Sequence, residues 1–234
     1  MVSTGWEYRA VYGGCAVKVT MLAHSALTEG ALALDLETPE DVLEFAARVC
    51  YASDDKMGTA PGFTYQRMRE GHWDVIEHVS ATFLIEGVSR TMTHQLVRHR
   101  LGSYSQESQR YTKLDKVRAR GATYVLPPSI EKNIDALTLF DDLMTVLEEG
   151  YDQLVNLKIP KEDARFVLPN AGTTRIVVTM NLRSWFHFLE LRMAKPAQWE
   201  IKEAANEIYQ CLREVYPKTV GAWARLVLKG DGEQ

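Results

Sequence analysis

Cysteine is scarce. The 234-residue chain has three, Cys15, Cys50 and Cys211, far apart and without a CxxC or Cys/His zinc spacing. That excludes a disulfide framework and fits a reduced, cytosolic protein. No apolar run approaches the ~20 residues that cross a bilayer. The first eleven residues carry Glu7 and Arg9 in place of a signal peptide's apolar stretch. Internal repeats and low-complexity segments are missing too. Metal-ligand spacing is also lacking: His72, His78, His94 and His99 lie close in sequence, but His94 and His99 are five apart and share no helix face. A general basic excess is absent as well, the isoelectric point being near 5.9, which argues against a polyanion wrapped around the whole surface.

What is present is an ordinary globular mixture, 46% hydrophobic and 25% charged, with enough apolar residues for a core. The charge is unevenly spread. Between Arg90 and Arg120 eight Lys or Arg face two acids, a local +6 in a chain of net −4. A basic island in an acidic chain points to a local anionic ligand.

The pattern predicts a strand over 17–23. A helix follows from Thr38, with Pro39 at its first position, acids in its first turn and a stripe of Val42, Phe45, Ala46 and Val49. A shorter helix covers 63–70. Alternating Val79, Ala81, Phe83 and Ile85 predict a strand over 78–85. Ser89 opens a helix through His99, bringing Met92, Gln95, Leu96 and His99 together. Residues 101–113 read as an ordered loop or extended segment. A long helix covers 129–157, and a short one 160–168. The β-branched 173–180 reads as a strand. Amphipathic helices cover 181–192 and 197–216, the latter burying Trp199, Ala204, Ile208, Cys211 and Val215. No linker interrupts the order, which predicts one α+β domain over 1–234, with 1–16 set apart as an N-terminal extension.

The least ordinary stretch is Arg98-His99-Arg100-Leu101-Gly102-Ser103-Tyr104-Ser105-Gln106-Glu107-Ser108-Gln109-Arg110-Tyr111. Guanidinium groups present planar forks that match phosphate oxygens. Small hydroxyl side chains and free loop N–H groups complete an anion pocket. On charge alone, a solvated basic loop stays as an alternative.

Arg-His-Arg followed by seven residues and Ser resembles the signature of the flavin-dependent thymidylate synthases. Other segments resemble that family too: His72 with Glu77-His78; Gln95 before Arg98; Ala164-Arg165 with Leu168-Pro169; Asn181-Leu182-Arg183-Ser184; Phe188-Leu189-Glu190-Leu191-Arg192; and Ala197-Gln198-Trp199-Glu200. The resemblance spans about residues 39–228. Ser105 stands where relatives often carry Asn, and Pro196 where they commonly carry a polar or thiol side chain.

The resemblance implies a helix-rich α+β domain around a small, twisted, mainly antiparallel sheet, assembled as a homotetramer with shared active sites. It implies reductive methylation of deoxyuridine monophosphate (dUMP) to thymidylate (dTMP). The carbon comes from methylenetetrahydrofolate and the hydride from FAD that NADPH has reduced. It places His72, Arg98, His99, Arg100, Gln106, Asn181 and His187 on FAD. It places Gln95, Gln106, Ser108, Gln109, Arg110, Arg165 and Arg192 on dUMP, with Arg192 as the catalytic group facing uracil. No metal, nucleic acid or membrane is implied, and the compartment is the cytoplasm. Cys50 and Cys211, on apolar stripes, read as core residues rather than nucleophiles, and Trp185, Phe186 and Trp199 as packing. Two rivals are a nucleic-acid module stacking bases on Tyr104 and Tyr111, and a flavin reductase without methyl transfer.

Overall fold

The computed structural model describes residues 17–228, so the N-terminal extension over 1–16 and Cys15 lie outside the described residues. The fold is helix-rich α+β. Strands β1 (Lys18–His24), β2 (Ser80–Ser89), β3 (Ser103–Gln106) and β4 (Thr173–Asn181) form an antiparallel sheet in the order β1-β2-β4-β3. Across β2 and β4, the hydroxyls of Thr82 and Thr179 are 2.9 Å apart, which fixes that register. The helices are α1 (Glu29–Leu32), α2 (Pro39–Val49), α3 (Phe63–Arg69), α4 (Arg90–Leu96), α5 (Leu114–Arg118), α6 (Pro128–Glu131), α7 (Ile134–Asn156), α8 (Lys161–Ala164), α9 (Leu182–Met193), α10 (Trp199–Val215) and α11 (Pro217–Val227). The chain divides into two compact units. The first holds the described residues up to Lys18, Ile85–Leu96 and Ser105–Ile176; the second holds Val19–Leu84, Val97–Tyr104 and the chain from Val177 on.

In the second unit, α2 begins as its sequence predicts. Pro39 is at the first position, and Asp41 Oδ2 accepts from the Thr38 and Glu37 N–H groups at 2.7 and 3.1 Å. Its buried face differs from the expected stripe. Glu40, Leu43, Ala47 and Arg48 turn inward, Val42, Phe45 and Ala46 are half-buried, and Val49 is exposed. Two charges rotate the helix. Arg48 pairs with Glu44 at 2.6 Å and lies over the Phe63 ring at 4.6 Å. Glu40 accepts from the Lys218 and Thr219 N–H groups at 3.3 and 2.5 Å. Those donors open α11 and have no partner inside it, so a buried carboxylate 178 residues away caps that helix. The pattern reading stopped at Tyr216 and missed α11, which Pro217 starts.

The core of this unit is aromatic. Trp185 meets Phe83 edge-on at 5.1 Å and Phe188 at 5.6 Å, while Phe186 stacks on Trp223 at 5.0 Å. Helix α10 buries Ala204 and Ile208, as expected, together with Ile201, Ala205 and Leu212. Trp199, Cys211 and Val215 are only half-buried. Cys50 is exposed at the end of α2, not a core residue.

In the first unit, the predicted helix over 129–157 is two helices. Asn133 interrupts the pattern and caps α7, its Oδ1 accepting from the Asp135 and Ala136 N–H groups at 3.1 Å each. Tyr151 of α7 packs with Leu114 and Ala164. Arg118 of α5 binds Glu148 and Asp152 of α7, both at 2.9 Å.

Removing the α11 cap tests the long-range link. Glu40→Ala leaves one buried and one part-buried N–H group unpaired, and denaturant unfolding is expected to show a loss of about 1–3 kcal/mol, with α11 exchanging its amide protons first. An unchanged midpoint would dismiss the cap.

Candidate active site

The centre of the site is in the second unit, where the basic loop meets α9. Helix α4 stops at Leu96, so the expected helix from Ser89 through His99 is shorter at both ends: Ser89 closes β2 and His99 lies past the helix. Arg98 and Arg100 are exposed, and neither forms an ion pair among the described residues. His99 between them is half-buried. Its ring meets Phe188 edge-on at 5.1 Å and His187 at 6.1 Å. Arg192 Nε donates to His99 Nε2 at 3.0 Å. Burial first, and then the Arg192 and His187 charges, push the His99 pKa down to about 4. The imidazole is therefore neutral near pH 7. Since Nε2 accepts, the ring proton is on Nδ1.

The loop is held from behind. Tyr104 Oη donates to the His99 carbonyl, and burial pushes the Tyr104 pKa up to about 12, which keeps its proton in place. Gly102 permits this. A Cβ there would come within 2.7 Å of Met180 Cε and 2.8 Å of Tyr104 Oη.

Helix α9 carries the other half. Asn181 Oδ1 caps it, accepting from the Ser184 N–H at 2.9 Å. Leu182, Trp185, Phe188 and Leu189 bury its inner face, and Trp185 Nε1 donates to the Ala81 carbonyl at 3.1 Å. These anchors aim His187 and Arg192 at the loop. His187 is exposed, so it is not a core histidine. Arg183 pairs with Glu77 at 2.6 Å. His72 is exposed and lines a hollow of about 100 Å³ with Cys50, Asp74 and His78; none of the His99 cluster lines it.

The first unit holds Gln95, Gln106, Ser108, Gln109, Arg110 and Arg165. Gln106 Nε2 donates to Thr93 Oγ1 at 2.9 Å and Thr174 Oγ1 at 3.4 Å. Ser108 Oγ accepts from the Arg110 N–H at 3.2 Å. Arg165 Nε donates to the Glu162 carbonyl at 3.1 Å. The Arg110 guanidinium is paired with Glu162 at 2.9 Å, both half-exposed, so it must exchange that partner to hold an anion. Sequence reasoning passed over Arg90. It is half-buried at the start of α4, and its Nη2 donates to the Glu107 carbonyl at 2.6 Å. With Gln109 and Tyr124 it lines a cavity of about 30 Å³, far below the ~300–1,000 Å³ of small-molecule sites. Its only sequence signal was membership of the basic island.

The island is therefore divided. Arg110, Arg118 and Arg120 have carboxylate partners, Arg120 binding Glu107 at 2.6 Å. Arg98 and Arg100 remain available beside a neutral imidazole.

Residues 32–218 match the family profile described as thymidylate synthase complementing protein. A flavin-dependent thymidylate synthase of Geobacter sulfurreducens is 41% identical over 209 residues, covering 86% of this chain and 84% of that one. A flavin-dependent thymidylate synthase of Nitratidesulfovibrio vulgaris is 40% identical over 217 residues, covering 82% and 85%. Among solved structures, the UMP/dUMP methylase PolB from Streptomyces cacaoi, bound with 5-Br dUMP, superposes with a TM-score of 0.72 at 24% identity, over 89% of this chain and 95% of that one. That likeness speaks to the fold.

The close approach at Gly102 is testable. Gly102→Ala forces Tyr104 or Met180 aside and is expected to cost roughly 1–3 kcal/mol in thermal unfolding, with a changed tyrosine signal in near-ultraviolet circular dichroism. A variant as stable as the parent, with an unaltered spectrum, would contradict the packing.

Proposed function

The chain belongs to the family of flavin-dependent thymidylate synthases, and on that premise we propose that it makes dTMP by reductive methylation of dUMP, using the cluster of Arg98, His99, Arg100 and Arg192. The observation that carries the assignment to this cluster is its electrostatic division: two arginines without carboxylate partners, next to a half-buried neutral histidine held by a third arginine.

The residues present fit FAD. Arg98 and Arg100 offer two exposed guanidinium forks for a pyrophosphate. The neutral His99 and the amide nitrogen of Asn181, whose oxygen is taken by the helix cap, suit uncharged ring edges. Bound FAD, once reduced by NADPH, supplies the hydride, and methylenetetrahydrofolate supplies the carbon. His72 and His187 complete the flavin and folate side. For dUMP we assign Ser108, the Gln109 backbone, Arg110, Gln95, Gln106 and Arg165. Glu162 guards Arg110 until the nucleotide displaces it. Arg192 faces uracil, where its fork stabilises the negative charge that develops as C5 becomes nucleophilic.

We further assign the chain one domain over 1–234, since no linker breaks it, and a homotetrameric assembly. Leu139, Leu143 and Val146 on the outer side of α7 are each half or more exposed, at spacings of four and three residues. Such a stripe is a face for a second copy of the chain.

Two experiments test the site. In Arg98→Ala/Arg100→Ala, each lost charge-assisted contact is worth about 1.5–3 kcal/mol, so flavin absorbance per protomer after gel filtration should fall steeply. Full retention of flavin would remove the loop from the flavin site. In Arg192→Ala, loss of preorganised charge stabilisation worth roughly 3–4 kcal/mol should slow dTMP formation on the order of a hundred- to a thousand-fold, while flavin stays bound and NADPH is still oxidised. Arg192→Lys should recover little, lacking the planar fork. Near-parental dTMP formation in Arg192→Ala would end that assignment.

A further inference from the structure

We propose that His99 is the positioning residue of Arg192, its Nε2 accepting from Arg192 Nε and so fixing the direction in which the guanidinium presents its two terminal nitrogens. The proposal rests on the role given to Arg192 above and adds how that role is enforced.

Arginine has three nitrogens, and which one the protein holds decides what the ligand meets. Here the protein takes Nε, at 3.0 Å. Neither terminal nitrogen of Arg192 has a hydrogen-bond or ion-pair partner among the described residues. The Nη1/Nη2 fork is thus the free edge, suited to a planar acceptor. A carboxylate at the same position would hold the arginine more tightly, but would neutralise the charge that the chemistry needs. A neutral imidazole orients the cation without cancelling it.

That arrangement requires His99 to stay unprotonated, since an imidazolium has no acceptor and repels the guanidinium. The surroundings enforce this. Arg192 and His187 face the ring from α9, Arg98 and Arg100 flank it on its own loop, and no carboxylate pairs with it among the described residues. Burial is the larger cause, and with the Arg192 and His187 charges it lowers the pKa to about 4. The ring itself cannot swing freely. Phe188 stands edge-on at 5.1 Å, and Tyr104 holds the His99 carbonyl.

The test is a double-mutant cycle on dTMP formation, with FAD in excess throughout. His99→Phe keeps an aromatic ring against Phe188 but removes the acceptor. It should slow dTMP formation about tenfold to a hundredfold, the scale of a misaimed catalytic group. His99→Gln, with an amide oxygen near the Nε2 position, should regain most of that loss. The double variant His99→Phe/Arg192→Ala should be within about threefold of Arg192→Ala alone, because the two residues act as one unit. Losses that multiply in the double variant, or a Gln variant no faster than the Phe variant, would overturn the proposal.

A second measurement needs no variant and no turnover. Nitrogen-15 spectra of histidine-labelled parental protein at pH 7 should show His99 neutral, with Nδ1 protonated and Nε2 bare. A protonated Nε2 refutes the pairing outright. If Arg192→Ala instead makes dTMP at the parental rate, the failure lies in the role of Arg192, and the spectra still decide whether His99 holds it.

Discussion

A neutral histidine accepting from an arginine is the contact on which the site is built. It is costly to arrange, because the ring must be dry enough to refuse a proton and yet positioned to receive one N–H. The fold supplies both conditions from its core outwards. Trp185 is buried against Phe83 and hydrogen-bonded to the Ala81 carbonyl, which fixes the rotation of α9. That rotation sets Phe188 against one side of His99 and brings Arg192 to its Nε2. From the other side, Gly102 lets the loop run close to Met180 while Tyr104 secures the His99 carbonyl. A shift of α9 by a fraction of a turn would break the contact without unfolding anything.

The same economy governs the charges. An island of +6 would repel itself if every cation were free. Much of it is compensated locally: Arg118 by Glu148 and Asp152, Arg120 by Glu107, Arg110 by Glu162. These pairs are partly exposed and individually weak contributors to stability. Their effect is to leave Arg98 and Arg100 as the arginines of the Arg-His-Arg run without a carboxylate partner among the described residues. The exposed pair Arg110–Glu162 is the exchangeable one, because its partner can be replaced by a stronger anion at small cost.

Much of this was legible in the sequence because it is chemistry tied to short spacing. The packing residues Trp185 and Phe186 of α9 are local facts, and the structure buries them as read. What failed was long-range. The α2 stripe was read from apolar residues alone, whereas Glu40 takes the inner face because N–H groups far along the chain pair with it, and Arg48 because Glu44 and the Phe63 ring do. The helix expected over 129–157 divides at Asn133, whose side chain competes for backbone N–H groups. Strand β2 outruns its alternation at Gly87, where φ is 70° and the buried face moves to Val88. His99 fitted a helical spacing with Leu96 yet owes its environment to α9, 93 residues from it at Arg192. No spacing rule reveals a tautomer.

The cysteines bear on the chemistry last. Attack on uracil by a thiolate would need a cysteine whose pKa is lowered by nearby cations. Cys211 has the opposite surroundings: burial first, then Glu214 and Glu207, raise it. Cys50 donates to the Ala46 carbonyl at 3.6 Å at the end of α2 and lines the hollow of His72, away from the arginines of the loop. Cys211 is therefore not an activated nucleophile. On the role proposed for Arg192, the negative charge gathered on uracil is balanced by cations that are fixed before the reaction begins. That requirement explains why the site retains arginines without carboxylates, and why the residue holding Arg192 is a histidine kept from becoming a charge itself.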